Sequence, residues 1–446
     1  MIGPRTWGLA GLAAGLVLAA MPALAQEAAP ALKPALAGEE EAPAPIIPRL
    51  TIGPETDEAA AAPRRRLSPE NPWEPVGIDA GGFRLYPSLT IGAVATSNPL
   101  RCNCPASEPA TGLALTPALR LESDWVRHRL TAAAKFTTMV YDESAYDTTE
   151  GEAEVDLRLD IRRTTTFDLG ASYARDQASL AGSDAPANAI DYRTDHAIGA
   201  EAALTHDFGP LTARLKGGLS WNLFDDVALA GGGTEDNSDR AYLAPRLALR
   251  ATYREPPAFR PYVEVGLAPR HYFETHDRNG LRRSSMGYEV RIGSEWDGGA
   301  IWQGDLAATY LRRDYDDPAL GSNSALGLTG TLAWSPTELT RLVLGLETEL
   351  TDTVGTTSAG GRRWQARLDG SHALRDNVTL SAGLGVELAR ADGGDDVSYE
   401  AEAALAWTMT PTLSWALTYD FVTLDAADPA RDYHDHRLGA ALTLRR

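Results

Sequence analysis

From Phe83 to the C-terminus, apolar and polar side chains alternate along the chain in one segment after another. In residues 152–162 every second position is apolar and the positions between are acidic or basic, and residues 211–223 repeat the pattern over 13 residues. Successive side chains of a β-strand point to opposite faces, so each segment predicts a strand with one apolar and one polar face. Such lengths exceed the roughly five or six residues typical of soluble strands and allow a tilted strand to cross a bilayer.

The connections between these segments tend to alternate between short turns, such as 207–210 and 297–300, and longer loops rich in Asp and Gly, such as 177–190 and 224–240. An even strand number with this asymmetry is typical of bacterial outer-membrane barrels, whose two termini lie in the periplasm. We therefore predict an all-β fold, a transmembrane antiparallel β-barrel of about 18 strands. The predicted strands are 83–96, 113–122, 129–141, 150–162, 166–176, 191–206, 211–223, 241–253, 261–273, 284–296, 301–313, 324–334, 339–350, 362–374, 378–390, 398–408, 413–423 and 435–444.

Tryptophans gather at the ends of the predicted strands. Trp296 and Trp302 flank one short turn, and Trp407 and Trp415 flank another. Amphipathic indole rings favour the membrane–water boundary, so these residues predict a periplasmic aromatic belt. The alternative, a sandwich core, would not concentrate aromatic residues at strand ends.

The N-terminal part of the chain lacks the alternation. Residues 1–25 combine a positive charge, a short apolar stretch and a small-residue cleavage pattern, which predicts a secretory signal peptide. The alternative, a membrane anchor, is disfavoured because the stretch is too short to span a bilayer comfortably. Residues 26–76 are dominated by Ala, Pro and Glu and predict a disordered periplasmic linker, which leaves 77–446 as the barrel domain.

Composition narrows the choice of partner. The chain has 61 acidic against 41 basic residues and a formal net charge of −20, which argues against nucleic acid as a partner. Beyond the first two dozen residues no long uncharged apolar run occurs, which excludes a bundle of membrane helices. Cys102 and Cys104 lie in the first predicted outer loop, where they either form a short-range disulfide or remain two thiols.

The charged positions of the predicted strands share the face opposite the apolar one, so we expect them to line the barrel interior. Charges of both signs suit a water-filled channel for polar solutes, and the alternative is that they pair across strands to stabilise the wall. The predicted lumen-facing residues are Asp156, Arg158, Arg214, Lys216, Arg246, Arg250, Glu289 and Arg291, and the same alternation adds Asp305, Arg367, Asp369 and Glu402.

No arrangement of residues indicates catalysis. None of the eight histidines has the His-x-Ser spacing of barrel phospholipases, and the closest feature to a protease couple is His434-Asp435-His436. Spacing of that kind is too common to define an active site, so we expect neither an enzyme nor a cofactor. Without a third ligand, two histidines at a loop end are a weak candidate for a metal site.

The last predicted strand carries Arg437, Gly439, Leu442 and Leu444 in a spacing that resembles the β-signal read by the outer-membrane assembly machinery. The chain departs from the common pattern by ending on two arginines instead of an aromatic residue. Expected partners are that machinery, outer-membrane lipid and lipopolysaccharide. The acidic outer loops would share divalent cations with lipopolysaccharide phosphates, or are simply solvated turns.

Several segments together resemble the putative beta-barrel porin-2 family of Gram-negative outer-membrane proteins. They are residues 77–89 (GIDAGGFRLYPSL), 96–99 (TSNP), 310–317 (YLRRDYDD), 332–337 (LAWSPT) and 371–378 (SHALRDNV). The resemblance implies a barrel in the outer membrane with a pore function, and it carries no substrate or catalytic residues with it. We therefore predict a porin-like channel for passive diffusion of small polar solutes. The alternative is a structural or surface-polysaccharide-associated envelope barrel without general pore activity.

Overall fold

The structure is a computed structural model that describes residues 72–104, 107–178, 180, 189–255, 257–352, 358–391 and 394–446. The predicted signal peptide and residues 26–71 of the predicted linker lie outside the described residues, so both remain predictions. Within the described part of the chain, no helix has the length and apolarity needed to cross a membrane.

Eighteen long antiparallel strands form a closed barrel, in which each strand pairs with its neighbours in sequence. The first and last strands pair with Ser88 opposite Arg445 and Thr96 opposite Arg437, which closes the sheet. The predicted fold is therefore confirmed. The strands are β1 Phe83–Thr96, β2 Ala110–Ser123, β3 Arg129–Tyr141, β4 Thr148–Arg162, β5 Thr165–Ala178, β6 Arg193–Asp207, β7 Leu211–Phe224, β8 Tyr242–Tyr253, β9 Phe259–Leu267, β10 Ser285–Asp297, β11 Trp302–Tyr315, β12 Ser322–Thr337, β13 Thr340–Thr351, β14 Gly361–Arg375, β15 Val378–Ala391, β16 Gly394–Thr410, β17 Leu413–Asp425 and β18 Tyr433–Arg445.

The distribution of exposed and buried side chains is the reverse of that in a soluble protein. Large apolar residues such as Leu113 and Ile292 are among the most exposed, whereas Arg250 and Glu264 are buried. Soluble proteins almost never bury such charges while they expose their leucines. A barrel with a lipid-facing outer surface and a polar interior requires this arrangement.

One predicted strand is interrupted. The sequence predicts a continuous strand over 261–273, but β9 ends at Leu267 and a separate two-residue strand, His271–Tyr272, follows. Both pieces pair with β8 in one register, with Leu247 opposite Leu267 and Tyr242 opposite Tyr272. That register sets Pro245 opposite Pro269, and neither proline has an N–H to donate to the ladder. The missing hydrogen bonds explain the break.

The tryptophans of the predicted belt lie at the short-turn end of the barrel. The rings of Trp302 and Trp334 stack with their centroids 5.3 Å apart, and Trp407 lies directly opposite Trp415 on the neighbouring strand. Such stacked and paired indoles cover the strand ends with amphipathic surface.

Candidate functional site: the charged inner face

Five adjacent strands, β7 to β11, carry a group of ionised side chains on one face. The register places Lys216 opposite Ala248, Arg250 opposite Glu264, and Glu264 opposite Arg291. Because side chains alternate between faces, all of these share the face opposite the exposed leucines and valines. We call the group the central charge cluster, which consists of Lys216, Arg246, Arg250, Glu264, Glu289, Arg291, Glu295 and Asp305.

Glu264 lies at the centre of the central charge cluster and is 1% exposed. Its Oε2 atom accepts hydrogen bonds from Lys216 Nζ at 3.1 Å and from Arg250 Nε at 2.8 Å. Arg291 Nη1 lies 3.6 Å from the other carboxylate oxygen. One buried carboxylate therefore compensates three cations, each from a different strand.

Arg250 links the cluster to the next strands. Its Nη1 atom donates to Glu295 at 3.1 Å and to Asp305 at 2.9 Å, and its guanidinium lies over the Tyr262 ring, 3.9 Å from the centroid. Tyr262 Oη in turn donates to Asp305 at 2.8 Å. Each polar group in this network is matched by a group of opposite charge or by a hydrogen-bond donor.

The geometry of these contacts indicates which side of the wall they occupy. Arg250 on β8 reaches Asp305 on β11, three strands away. Strands lie about 4.8 Å apart, so three spacings alone place the two Cα atoms at least about 14 Å apart along the wall. Side chains converge on the concave side of a curved sheet and diverge on the convex side. The contact therefore belongs to the concave, inner face.

The predicted lumen-facing residues fall into two groups. Lys216, Arg246, Arg250, Glu289 and Arg291 belong to the central charge cluster, where Arg246 Nη2 donates to Glu289 at 2.5 Å and Arg291 pairs with the same carboxylate. The other three lie apart: Arg214 donates to Asp168 at 3.3 Å, Arg158 to Asp160 at 3.3 Å, and Asp156 is exposed. The function of all eight as channel-lining residues stays a prediction.

The sequence analysis missed Glu264, the most buried acid of the cluster, as well as Glu295 and Tyr262. The signal was present, because Tyr262 and Glu264 alternate with Val263 and Val265 just as the predicted residues alternate with their apolar neighbours.

A smaller group of charges lies on another part of the wall. Arg367 on β14 donates to Glu402 on β16 at 2.7 Å and to Asp369 at 2.8 Å, and its Nη1 atom lies 3.8 Å from Glu400. These acids outnumber the guanidinium that pairs with them. The inner face therefore carries a balanced cluster on β7 to β11 and an acidic group on β14 to β16.

The four residues of the predicted assembly signal lie on β18, which closes the barrel against β1. Arg437 is buried on the inner face, and Gly439 lies opposite Val94 and Thr418 on the two flanking strands. Leu442 and Leu444 are exposed on the outer face. This placement is compatible with the predicted signal, and its recognition by the assembly machinery stays a prediction.

Ion pairs with arginine hold several acidic residues at the long-loop end of the barrel. Arg278 donates to Asp239 at 2.8 Å and also pairs with Glu235, and these hydrogen bonds, that to Asp239 foremost, raise the pKa of the Arg278 guanidinium. Asp396 pairs with Arg431 in the same way. Among the described residues, no group of three His, Cys, Asp or Glu side chains has an arrangement that could hold a metal ion. Cys102 and Cys104 form a disulfide.

A closed 18-stranded barrel with an apolar outer face and a charged inner face defines the class of outer-membrane β-barrels. Comparison with known families matches residues 71–446 to the family described as "Putative beta-barrel porin 2", and the chain belongs to this family. The protein is a porin-like barrel of the cell outer membrane, and the resemblance noted in the sequence is confirmed. Its long loops are called outer loops below, after the predicted orientation, in which the short turns lie in the periplasm.

Solved structures give distant matches. The outer membrane protein OpdK from Pseudomonas aeruginosa is 12% identical, with 81% of this chain and 99% of that chain covered and a TM-score of 0.40. A BenF-like porin from Pseudomonas fluorescens Pf-5 is 12% identical, with the same coverage and a TM-score of 0.42. P. aeruginosa OccK11 (OpdR) is 14% identical, with 82% and 96% covered and a TM-score of 0.42. No curated protein matches the chain.

Proposed function

We propose that the protein is a passive channel for small polar solutes. The observation that supports this most directly is the inner face of a closed 18-stranded barrel, which carries many ionised groups of both signs. Barrels of 16 to 18 strands leave an aqueous channel, and walls with fixed charges of both signs offer polar solutes compensating contacts as they pass. Membership of a porin family supports the same function.

The proposal assigns the protein no chemical reaction. The carboxylates of the central charge cluster pair with arginine and lysine, as Glu264 does with Lys216 and Arg250. A catalytic centre would instead need a nucleophile or base aimed at a reacting atom. Passive diffusion needs no such group, only an aqueous path with fixed charges on its wall, and this is why we propose a channel and not an enzyme.

Conductance of the purified protein in a planar lipid bilayer tests the proposal. We expect discrete, stable single-channel openings whose conductance rises with salt concentration, because an aqueous channel conducts in proportion to its ions. A folded barrel that inserts but stays silent, and that co-purifies with envelope components, would contradict the channel and favour the structural, polysaccharide-associated alternative. Folding is checked independently from the shift in electrophoretic mobility on heating.

The proposed partners are lipopolysaccharide at the outer end and the assembly machinery at β18. Two arginines support the proposed contact with lipopolysaccharide. Arg312 and Arg390 lie near the outer ends of their strands on the outer face, half-exposed, and pair with Asp314 at 2.8 Å and Asp395 at 2.5 Å respectively. Positive side chains at this level of the wall would meet the phosphates of lipopolysaccharide head groups. For the assembly machinery, the support is that Leu442 and Leu444 present the apolar half of the predicted signal on the outer face.

Cysteine labelling tests the orientation. Ala230 is exposed in the loop after β7, and Thr410 is exposed as the last residue of β16, next to a short turn. We expect Ala230→Cys to react with a membrane-impermeant maleimide on intact cells and Thr410→Cys to react only after permeabilisation, because short turns lie in the periplasm. Wild type is the control, since its two cysteines form a disulfide. The reverse pattern would contradict the orientation.

A further inference from the structure

The outer loop between β1 and β2 folds into the barrel over its first part, residues 97–104, which we call the inward loop. Leu100 at its centre is 6% exposed and packs in one cluster with Val94, Met139, Tyr141 and other buried residues. Val94, Met139 and Tyr141 alternate with outward-facing residues such as Val140, so they belong to the inner face. An apolar loop residue is therefore anchored against the inside of the wall.

A second contact shows how far the inward loop extends. Tyr192, which directly precedes β6, donates a hydrogen bond from its Oη to the Pro99 carbonyl oxygen at 2.9 Å. Pro99 lies between β1 and β2, so at least four strand spacings, or about 19 Å of wall, separate the two residues around the barrel. Because the two residues are in direct hydrogen-bond contact, the loop must extend from its own strands across the barrel interior towards Tyr192. The inward loop therefore occupies part of the barrel mouth.

Asp435 on β18 ties the inward loop to the wall on its other side. Its Oδ1 atom accepts hydrogen bonds from Thr96 Oγ1 at 2.7 Å, Asn98 N at 3.0 Å and Ser97 N at 3.2 Å. Its Oδ2 atom lies 3.7 Å from Arg101 Nε. Asp435 is itself almost completely buried, so these contacts define one position of the loop.

Arg101 is held in an unfavourable backbone conformation. Its φ of +48° is the only positive value of a non-glycine residue in the described part of the chain. Strain of this kind persists only where the surroundings over-determine the backbone, and it is concentrated at functional sites. Here the adjacent Cys102–Cys104 disulfide and the hydrogen bonds from Cys102 N to Asn98 Oδ1 and from Asn98 Nδ2 to the Cys102 carbonyl supply the constraint.

The side chain of Arg101 reaches an acidic recess on the inner face. The recess is lined by Arg101, Glu400, Glu402, Asp420, Asp435 and Arg437, so four carboxylates face two guanidiniums. Burial lowers the pKa of the Arg101 guanidinium, but the acidic groups around it, Tyr433 and Asp435 foremost and Glu400 and Glu150 after them, together raise it by more, and the net shift is upward. Arg101 therefore stays charged and offsets part of a negative potential.

We propose that the inward loop forms the constriction of the channel and that Arg101 sets its ionic selectivity. This rests on the proposed channel function. Passing ions meet the recess where the loop narrows the mouth, and the local balance of charge decides which sign is favoured. Without Arg101 the four carboxylates of the recess keep two guanidiniums, that of Arg437 and that of Arg367, which binds Glu402. Arg101 thus moderates a cation preference that the wall would otherwise impose.

Single-channel conductance and reversal potential in a KCl gradient test the proposal on the whole protein. We expect Arg101→Ala to raise the cation-to-anion permeability ratio roughly three-fold, the scale of one screened unit charge at close range. Arg101→Lys should retain the wild-type ratio. The matched control is Arg390→Ala, which removes a half-exposed arginine from the outer face and should leave the ratio unchanged.

A loop replacement separates the inference from the channel function. In this variant Gly and Ser replace residues 98–104 at equal length, and we expect a larger conductance. If wild type conducts but neither the replacement nor Arg101→Ala differs from it, the constriction is wrong and the channel stands. If only the replacement conducts, the loop closes the native barrel and the open channel is wrong. If every folded variant is silent, both are wrong. The shift in electrophoretic mobility on heating verifies folding of each variant. If the loop replacement does not fold, the result for Arg101→Ala tests the proposal by itself.

Discussion

Replacement of Glu264 by Gln is expected to cost the barrel about 3–5 kcal/mol of unfolding free energy, the penalty for removing one partner of a buried ion pair. The carboxylate is 1% exposed and compensates Lys216, Arg250 and Arg291. After its loss Arg250 keeps two acids and Arg291 keeps Glu289, but the buried Lys216 ammonium loses the carboxylate that it contacts. Urea unfolding of the purified barrel in lipid vesicles measures the change.

Two further variants make the Glu264 prediction specific. Adding Lys216→Met to Glu264→Gln removes the stranded cation and should recover most of the lost stability. Together with wild type and the Lys216→Met single variant, these proteins form a double-mutant cycle on one buried pair. Asp156→Asn, an acid-to-amide change at an exposed position on β4, should stay within about 0.5 kcal/mol of wild type. A Glu264→Gln protein as stable as Asp156→Asn would mean that Glu264 is solvated and does not bind the three cations.

The strand number and the two faces of the wall were predictable because both follow from a local pattern with a period of two residues. In β7, Lys216 is buried and Leu215 is exposed, as their alternation indicates. The interruption of β9 was not predictable, because it depends on Pro245 facing Pro269 across two strands. Such a pairing exists only once the register of both strands is known.

The candidate site was predictable as a set of residues but not as a set of contacts. Arg250 was identified from the alternation, whereas its contact with Asp305 depends on the curvature that brings β8 and β11 together. The inward loop was not predicted at all. Its sequence signals are weak: Leu100 is the one large aliphatic residue between Ser97 and Cys104. The loop's conformation depends on contacts with Tyr192 and Asp435, which lie far away in the sequence.

Replacement of Leu215 by Arg is expected to destabilise the folded barrel by about 2–4 kcal/mol, the cost of a cation on the lipid face near the bilayer midplane. Leu215 is 45% exposed and lies in a row with Leu204 and Leu249 on the neighbouring strands, which are 43% and 49% exposed. Three adjacent exposed leucines form a continuous apolar surface. A guanidinium in that row loses its hydration without gaining a partner.

The control for Leu215→Arg is the neighbouring residue on the opposite face. Lys216→Ala should cost far less, because Glu264 keeps Arg250 and Arg291 when the lysine is removed. Both variants are refolded into vesicles of the same lipid, and their urea midpoints are compared at equal m-values. A one-residue error in register would interchange the two results, because adjacent residues of a strand face opposite sides. Equal tolerance of both substitutions would contradict the assignment of an apolar outer face and a charged inner face to β7.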